Sequence, residues 1–370
     1  MSPTMRIFLW IAALASAFVA GQRLVESHED GEFYCRDFIQ AYVLARCLRD
    51  GEAPYRPLPE VVDTYFPDQP KLPWTHPTPH PPPAALATLP LGVLSYRAAS
   101  IVWLVLELAC LAFAIVLLAR AWGEPVSVEI MTMVFFLSLI FGPVIRELWL
   151  GQFGAMLLVL VTLSWINLRI GRDAIGGMWL GLALAIKLVG WPIALFLAFR
   201  GRWRAVVAAA LVVILLHGAA LLVMGWEPIF AYYTEIGPRV ARENRFHLEN
   251  FSLWPLGSRL FSDERMIWAS QVVLEPLWPN PPLERPVTLG VPLVALAAAL
   301  LLARRQRSFD SAFGILLCAG LVMNPVVWDH YLVLTALPIV VIARRLIPGG
   351  TTLQKGLALV GTGQPLPYRC

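Results

Sequence analysis

Lys187 sits in the middle of the apolar stretch Leu180–Leu197, too far from either end for its ammonium to reach water comfortably. An ionisable group in such a place costs a few kcal/mol unless it faces a protein cavity, so it is a candidate anion ligand, with a structural ion pair or a displaced span end as the alternatives. Arg146-Glu147 and Gly151-Gln152 put a cation, an anion, a backbone-exposing glycine and an amide between two apolar runs with almost no loop. That composition fits either a lined cavity or a polar interfacial turn. Trp328-Asp329-His330-Tyr331, preceded by Asn324-Pro325, opens the last apolar run. Trp and Tyr alone are ordinary at an interface, but an adjacent Asp and His are less so and mark a second candidate. Glu107 lies inside another run and reads equally well as a protonated structural acid.

These residues need a scaffold, and composition states which kind. Of 370 residues, 58% are hydrophobic and 15% charged, with a mean hydropathy of +0.66. The apolar residues gather in about ten runs, near 6–22, 86–96, 98–119, 128–147, 152–170, 174–199, 205–224, 287–303, 310–325 and 331–347. Most have the length a helix needs to cross about 30 Å of hydrocarbon, while 86–96 is too short to span alone. None alternates with polar residues as a transmembrane barrel strand does, so the fold class is an all-α polytopic membrane protein. A single integral-membrane domain is expected over residues 1–347, with 348–370 as a short tail. Met1–Gln22 lacks a convincing cleavage site and reads as the first span.

Short arginine-rich loops mark the cytoplasmic side: Arg200-Gly-Arg202-Trp-Arg204, Arg304-Arg305-Gln-Arg307 and Arg344-Arg345. Counting from them puts loops 23–85 and 225–286 and the turn 326–330 on the extracytoplasmic side. The same count puts Gly151-Gln152 on the cytoplasmic side, unless 174–199, broken at Gly190-Trp191-Pro192, is re-entrant and 86–96 does not cross. The net charge of +4 is explained by this topology, and no basic patch interleaved with aromatics points to nucleic acid.

The cysteines are scattered without a CxxC pair. Cys35 and Cys47 share a loop and are read as two unpaired thiols, with a disulfide as the alternative. His76 and His80 have a spacing two metal ligands can share, but the prolines between and around them oppose convergence, so no metal is expected.

The chain resembles glycosyltransferase family 87, polyprenol-phosphate-mannose-dependent mannosyltransferases of the GT-C superfamily. The resemblance rests on Asp37-Phe-Ile-Gln-Ala-Tyr42 continuing to Gly51-Glu-Ala-Pro-Tyr55, the proline-rich entry Pro81–Ala85, Gly151-Gln152, Lys187, Asn250-Phe-Ser-Leu253 and Trp328-Asp-His330. It departs from the family where an Asn usual two residues after Gly-Gln is Gly154.

What the resemblance implies is a GT-C-type bundle of about ten helices with a long first extracytoplasmic loop carrying an acidic residue, Asp37. The expected reaction transfers a hexose, mannose by resemblance, from a polyprenyl-phosphate donor to a hydroxyl of a glycan, glycolipid or protein acceptor. A phosphate leaving group needs charge stabilisation rather than a general acid, and the attacking hydroxyl needs a base. Asp37 is expected as that base, with a solvated loop acid or a helix cap as the alternative, and His330 as its catalytic companion, with Arg146, Gln152, Lys187, Asn250 and Asp329 on the donor phosphate and substrate. Single displacement inverts the anomeric centre, and no cofactor is expected beyond the lipid-linked sugar, which is a substrate. A multi-pass protein of the cell membrane follows. A secondary transporter and a flippase or assembly protein for lipid-linked glycans are the rival classes.

Overall fold

The computed structural model describes residues 2–29, 33–34, 36–68, 76–122, 125–247, 249–268 and 272–346. Cys35 and the expected tail at 348–370 lie outside them; Cys47 is a buried free thiol. The described chain is helical apart from a small antiparallel hairpin, Met266–Trp268 with Val272–Leu274.

Four helices are long and apolar enough to cross a membrane: Pro3–Glu26, Tyr96–Ala121, Trp203–Met224 and Pro281–Arg305. A fifth candidate is the pair Val128–Ser138 and Gly142–Leu150, bent by 72° at a break that contains Phe141 and leads into Pro143. The expected ten runs are therefore not ten full-length spans. Gly154–Arg169, Asp173–Ile186, Leu188–Phe199 and Phe309–Val322 are shorter apolar pieces. The sequence read their length by adding residues on either side of breaks that the backbone uses to turn.

Ion pairs identify one end of the bundle. Arg202 pairs with Asp173 (Nε to Oδ1 3.1 Å), Arg169 with Asp310 (3.3 Å), and the Arg169 and Arg344 guanidinium groups both donate to the Ala121 carbonyl. Asp173 and Arg202 flank the segment 174–199, so that segment leaves this end and returns to it. It is re-entrant. Asp173–Ile186 packs on Trp203–Met224 through small residues: a Cβ on Gly181 would stand 2.6 Å from the Ala209 carbonyl oxygen, and one on Gly177 closer still to that of Ala205, so the backbones touch directly. The re-entrant tip is held by Gly320 on Phe309–Val322, where a Cβ would collide with the Val189 carbonyl.

The run 86–96 does not cross either. Pro82–Thr88 and the 3-10 turn Leu89–Val93 lie along the first-loop helix Phe38–Asp50, tied by Tyr42 Oη donating to the Leu94 carbonyl (2.7 Å) and Arg49 donating to the Gly92 carbonyl (2.8 Å). With both conditions met, Gly151-Gln152 sits at the same end as the first loop, and the arginine anchors share the opposite end. The apparent conflict in the charge count came from treating two folded-back segments as crossings.

Candidate functional site

Helix Gly142–Leu150 ends at Gly151 in a left-handed conformation (φ 71°), which glycine adopts without cost. A Cβ there would also stand 2.8 Å from Phe38 Cβ. The bare glycine thus lets the chain turn directly against the start of the first-loop helix. The buried Arg36 fastens the same junction: its guanidinium donates to the Trp149 and Leu148 carbonyls and to Ser100 Oγ, satisfying the open end of the helix. Trp103 Nε1 donates to the Gly151 carbonyl at 3.0 Å.

This junction brings three of the expected residues into one hydrogen-bonded line. Gln152 Nε2 donates to Asp37 Oδ2 at 2.7 Å, and Lys187 Nζ donates to Gln152 Oε1 at 3.1 Å. Gln40 Nε2 also approaches Asp37 Oδ1, at 3.3 Å. Asp37 occupies the N-cap position of Phe38–Asp50 but makes no capping bond with its side chain. Its carboxylate is therefore not consumed by the helix end. Lys187 stands at the re-entrant break, in extended backbone (φ −152°, ψ 136°) between Asp173–Ile186 and the 3-10 turn Leu188–Gly190. The break, rather than the span, is what delivers an ammonium to this depth.

Lys187 Nζ also lies 3.8 Å from the centre of the Tyr331 ring, a cation–π contact that links it to the Trp328-Asp329-His330 turn. His330 is 1% exposed, and neither ring nitrogen has a hydrogen-bond partner; the nearest is Asp329 Oδ1, 3.7 Å from Nδ1. Burial pushes the His330 imidazole below its ordinary value, outweighing the support of Asp329, so the ring is neutral. Arg146 Nε lies 3.9 Å from Asp329 Oδ2, both groups being about half exposed. Burial would raise the Asp329 carboxyl, but the neighbouring His330 ring, the Arg146 charge and the bond donated by the His330 backbone amide prevail and hold it low.

Asn250 stands elsewhere. Its Nδ2 donates to the Asn244 and Pro325 carbonyls, and its Oδ1 accepts from the Ser252 and Val327 amides, so every hydrogen-bonding position is occupied in holding the second large loop to the 325–327 turn.

Other residues around the site take places that their sequence context did not assign. His80 is 5% exposed, edge-on to Phe153 (5.2 Å), and sits near Lys187, His330 and His76. Burial, then the neighbouring Lys187, His330 and His76, lower it to about 3. Its loop is pinned by Tyr55 Oη donating to the His80 carbonyl and Tyr232 Oη to the Pro79 carbonyl. Sequence had weighed His80 only as a metal ligand; among the described residues no group of three or more His, Cys, Asp or Glu could hold a metal ion. Glu147 is 1% exposed and accepts from the Gly154 amide, capping the next helix, Gly154–Arg169. That explains Gly154: a Cβ there would lie 2.7 Å from the Glu147 carboxyl carbon and both oxygens. Glu107 is buried with no partner for either oxygen.

The profile of glycosyltransferase family 87 matches residues 78–328. The chain belongs to glycosyltransferase family 87. No curated protein and no solved structure matches it. As a family 87 member it is a membrane glycosyltransferase, with a sugar donor, an acceptor and the lipid bilayer as its partners. The matched segment contains His80, Gln152, Lys187 and Asn250, whereas Asp37 and His330 lie beyond its two ends and join it through the hydrogen bonds and ring contacts above.

Proposed function

We propose that this family 87 enzyme transfers mannose from a polyprenyl-phosphate carrier to an acceptor hydroxyl, with inversion, on the extracytoplasmic face of the cell membrane. The observation that carries the reading is the line Asp37, Gln152, Lys187, in which a single amide separates a carboxylate from an ammonium. A displacement at an anomeric carbon needs those two groups on opposite sides of the reacting atom. The incoming hydroxyl loses its proton to Asp37, and the departing phosphate oxygen takes up charge that Lys187 neutralises. Gln152 bonds to both and fixes their separation. Arg146 adds a second cation, held by Asp329, and the neutral His330, with two unused ring nitrogens, orients a sugar or acceptor hydroxyl. A sugar attached to the carrier in β configuration leaves as an α-linked product, without a covalent glycosyl-enzyme. Sidedness follows from the arginine anchors, which share the end opposite Asp37.

The test uses purified protein in lipid nanodiscs, radiolabelled polyprenyl-phosphate mannose and a panel of glycan and glycolipid acceptors. Asp37→Asn preserves the shape and an acceptor for the Gln152 amide, and is expected to lower kcat by roughly 10²–10⁴ with the donor KM little changed. Unchanged transfer by this variant would sink the base assignment. No transfer from any carrier-linked sugar, together with its movement across vesicle membranes, would replace the enzymatic reading with a transport one.

A further inference from the structure

Arg36 stands directly before Asp37 in the chain and is buried, at 1% exposure, among neutral acceptors. Its guanidinium donates to the Trp149 carbonyl (2.5 Å), the Leu148 carbonyl (3.2 Å), Ser100 Oγ (2.7 Å) and His28 Nε2 (3.0 Å). Among the described residues no carboxylate pairs with it. Taking a guanidinium out of water without an anion is costly, and a neutral donor could close the same helix end for less. His28 is arranged to suit the cation. Its Nδ1 lies 2.8 Å from the Leu24 carbonyl, which can only accept, so that nitrogen carries the proton and Nε2 is left as the acceptor.

What this costly group joins explains its presence. The Arg36 carbonyl accepts from the Ile39 amide (3.1 Å), so its backbone belongs to the turn that opens Phe38–Asp50 and carries Asp37. Its side chain ends on the last carbonyls of Gly142–Leu150, the helix that leads through Gly151 into Gln152. The 2.7 Å bond from Gln152 to Asp37 spans the same two elements. Phe38 against the bare Gly151 brings them close, but an apolar contact is non-directional and leaves their register free. The two carbonyl bonds of Arg36 are directional and fix it. Ser100, on Tyr96–Ala121, and His28, just beyond Pro3–Glu26, anchor the same guanidinium to two membrane helices. The carboxylate of Asp37 is thus referred to the membrane-embedded frame through its neighbour in sequence.

We propose that Arg36 is a positioning residue of the transfer reaction: it holds the Asp37 carboxylate against Gln152, in line with Lys187, without itself reaching donor or acceptor. This rests on the transferase reading. The experiment measures steady-state transfer from radiolabelled polyprenyl-phosphate mannose by purified full-length variants in nanodiscs, in the wild-type and Asp37→Asn backgrounds. Arg36→Gln is expected to lower kcat by roughly 10–100-fold, the size of effect that a small misplacement of a reacting group produces, with the donor KM within about twofold of wild type. Arg36→Lys, which keeps the charge and reaches part of the carbonyl pair, should recover part of that loss. In the Asp37→Asn background, where no base remains to be placed, Arg36→Gln should cost less than about threefold. Ser100→Ala removes one acceptor of the guanidinium and leaves the two carbonyls; it should lower kcat by about threefold, again only where Asp37 is present, and it keeps the test decisive if Arg36→Gln does not insert. Losses of equal factor in the two backgrounds, a raised donor KM with kcat unchanged, or wild-type kcat in Arg36→Gln would each overturn the proposal. Absent transfer by the wild type would instead bring down the transferase reading, and this inference with it.

Discussion

Gly154 and Glu147 should behave as one unit, and the structure sets the size of the effect. In Gly154→Ala the new methyl group meets the Glu147 carboxylate at 2.7 Å, well inside van der Waals contact. The carboxylate is the movable partner, yet moving it breaks its bond to the Gly154 amide, and with 1% exposure it has no water to turn to. Losing a helix cap costs about 0.5–2 kcal/mol, and leaving a buried acceptor unpaired about 1–3 kcal/mol, so roughly 3 kcal/mol is expected. Glu147→Ala loses the same cap and leaves a hole, for a similar cost. In the double variant the methyl group added at position 154 enters the vacated space, so the cost should stay near ~3 kcal/mol instead of the additive ~6 kcal/mol. Taking unfolding entropy as about 2.1 cal/mol/K per residue over 370 residues, 3 kcal/mol corresponds to roughly 4 °C in Tm. Thermal unfolding in detergent should therefore show each single variant and the double variant about 4 °C below wild type. A double variant about 8 °C below would mean that the two residues act independently, and the account of Gly154 would fail.

Other expectations follow from the same geometry. Lys187→Met removes the ammonium but keeps a similar length, and should lower kcat by roughly 10²–10³ while Tyr331→Phe, which preserves the ring under Lys187, stays within a few-fold of wild type; equal losses in the two would refute the role given to the charge. His80, neutral in the fold at about 3 and ordinarily titrating near 6.5, makes the fold more stable above pH 6.5 and progressively less so as pH falls towards 3, by up to ~1.4 kcal/mol per pH unit. Tm measured from about pH 7.5 to 4.5 should drop more steeply in wild type than in His80→Gln, and parallel curves would count against the assignment. In a cysteine-free background, Arg172→Cys and Arg200→Cys should react with an impermeant thiol reagent from the same side of sealed vesicles, and Glu52→Cys from the other; opposite labelling of the first two would exclude the re-entrant segment.

Apolar run length and arginine placement were enough to read a helical membrane protein, because both are set by the bilayer and act residue by residue. Gln152 and Lys187 drew notice for a related reason: a polar group among apolar ones, or beside a glycine, stands out in one dimension, whereas Asp37, one of several acids in its loop, was singled out by the reaction's need for a base and by the family resemblance. What stayed open was whether the chain folds back at 174–199 and 86–96. Run length cannot distinguish a continuous helix at 174–199 from two short helices meeting at Lys187, since the hydropathy of the two is the same. The short segment at 82–93 likewise shows its partner only in three dimensions, along Phe38–Asp50. Asn250 was expected at the site only through the family resemblance of Asn250-Phe-Ser-Leu253, and its amide serves to clamp two loops. His80 was masked by its prolines, which suggested stiffness and not the depth to which Tyr55 and Tyr232 hold the loop.

The folded-back segment also explains why one site can hold both a lysine and a carboxylate beside a membrane. A lysine in the middle of a continuous span would meet either lipid or another helix, and each would have to satisfy its charge with no access for a phosphate. A break places the same lysine at the end of two half-helices, where Gln152 and the Tyr331 ring hold it while it remains partly exposed. Gly320 lets the Val189 backbone beside the break close against its helix, and Gly177 lets Asp173–Ile186 lie directly on the start of Trp203–Met224. The packing of small residues at the arginine-rich side of the bundle and the charge at the Asp37 side are then parts of one device. Gly177→Val should therefore reduce transfer although Gly177 touches none of the residues assigned to the reaction. It should do so by displacing Lys187, measurable as a raised donor KM that a Lys187→Met background no longer shows. A Gly177→Val effect of equal size in both backgrounds would separate the packing from the site.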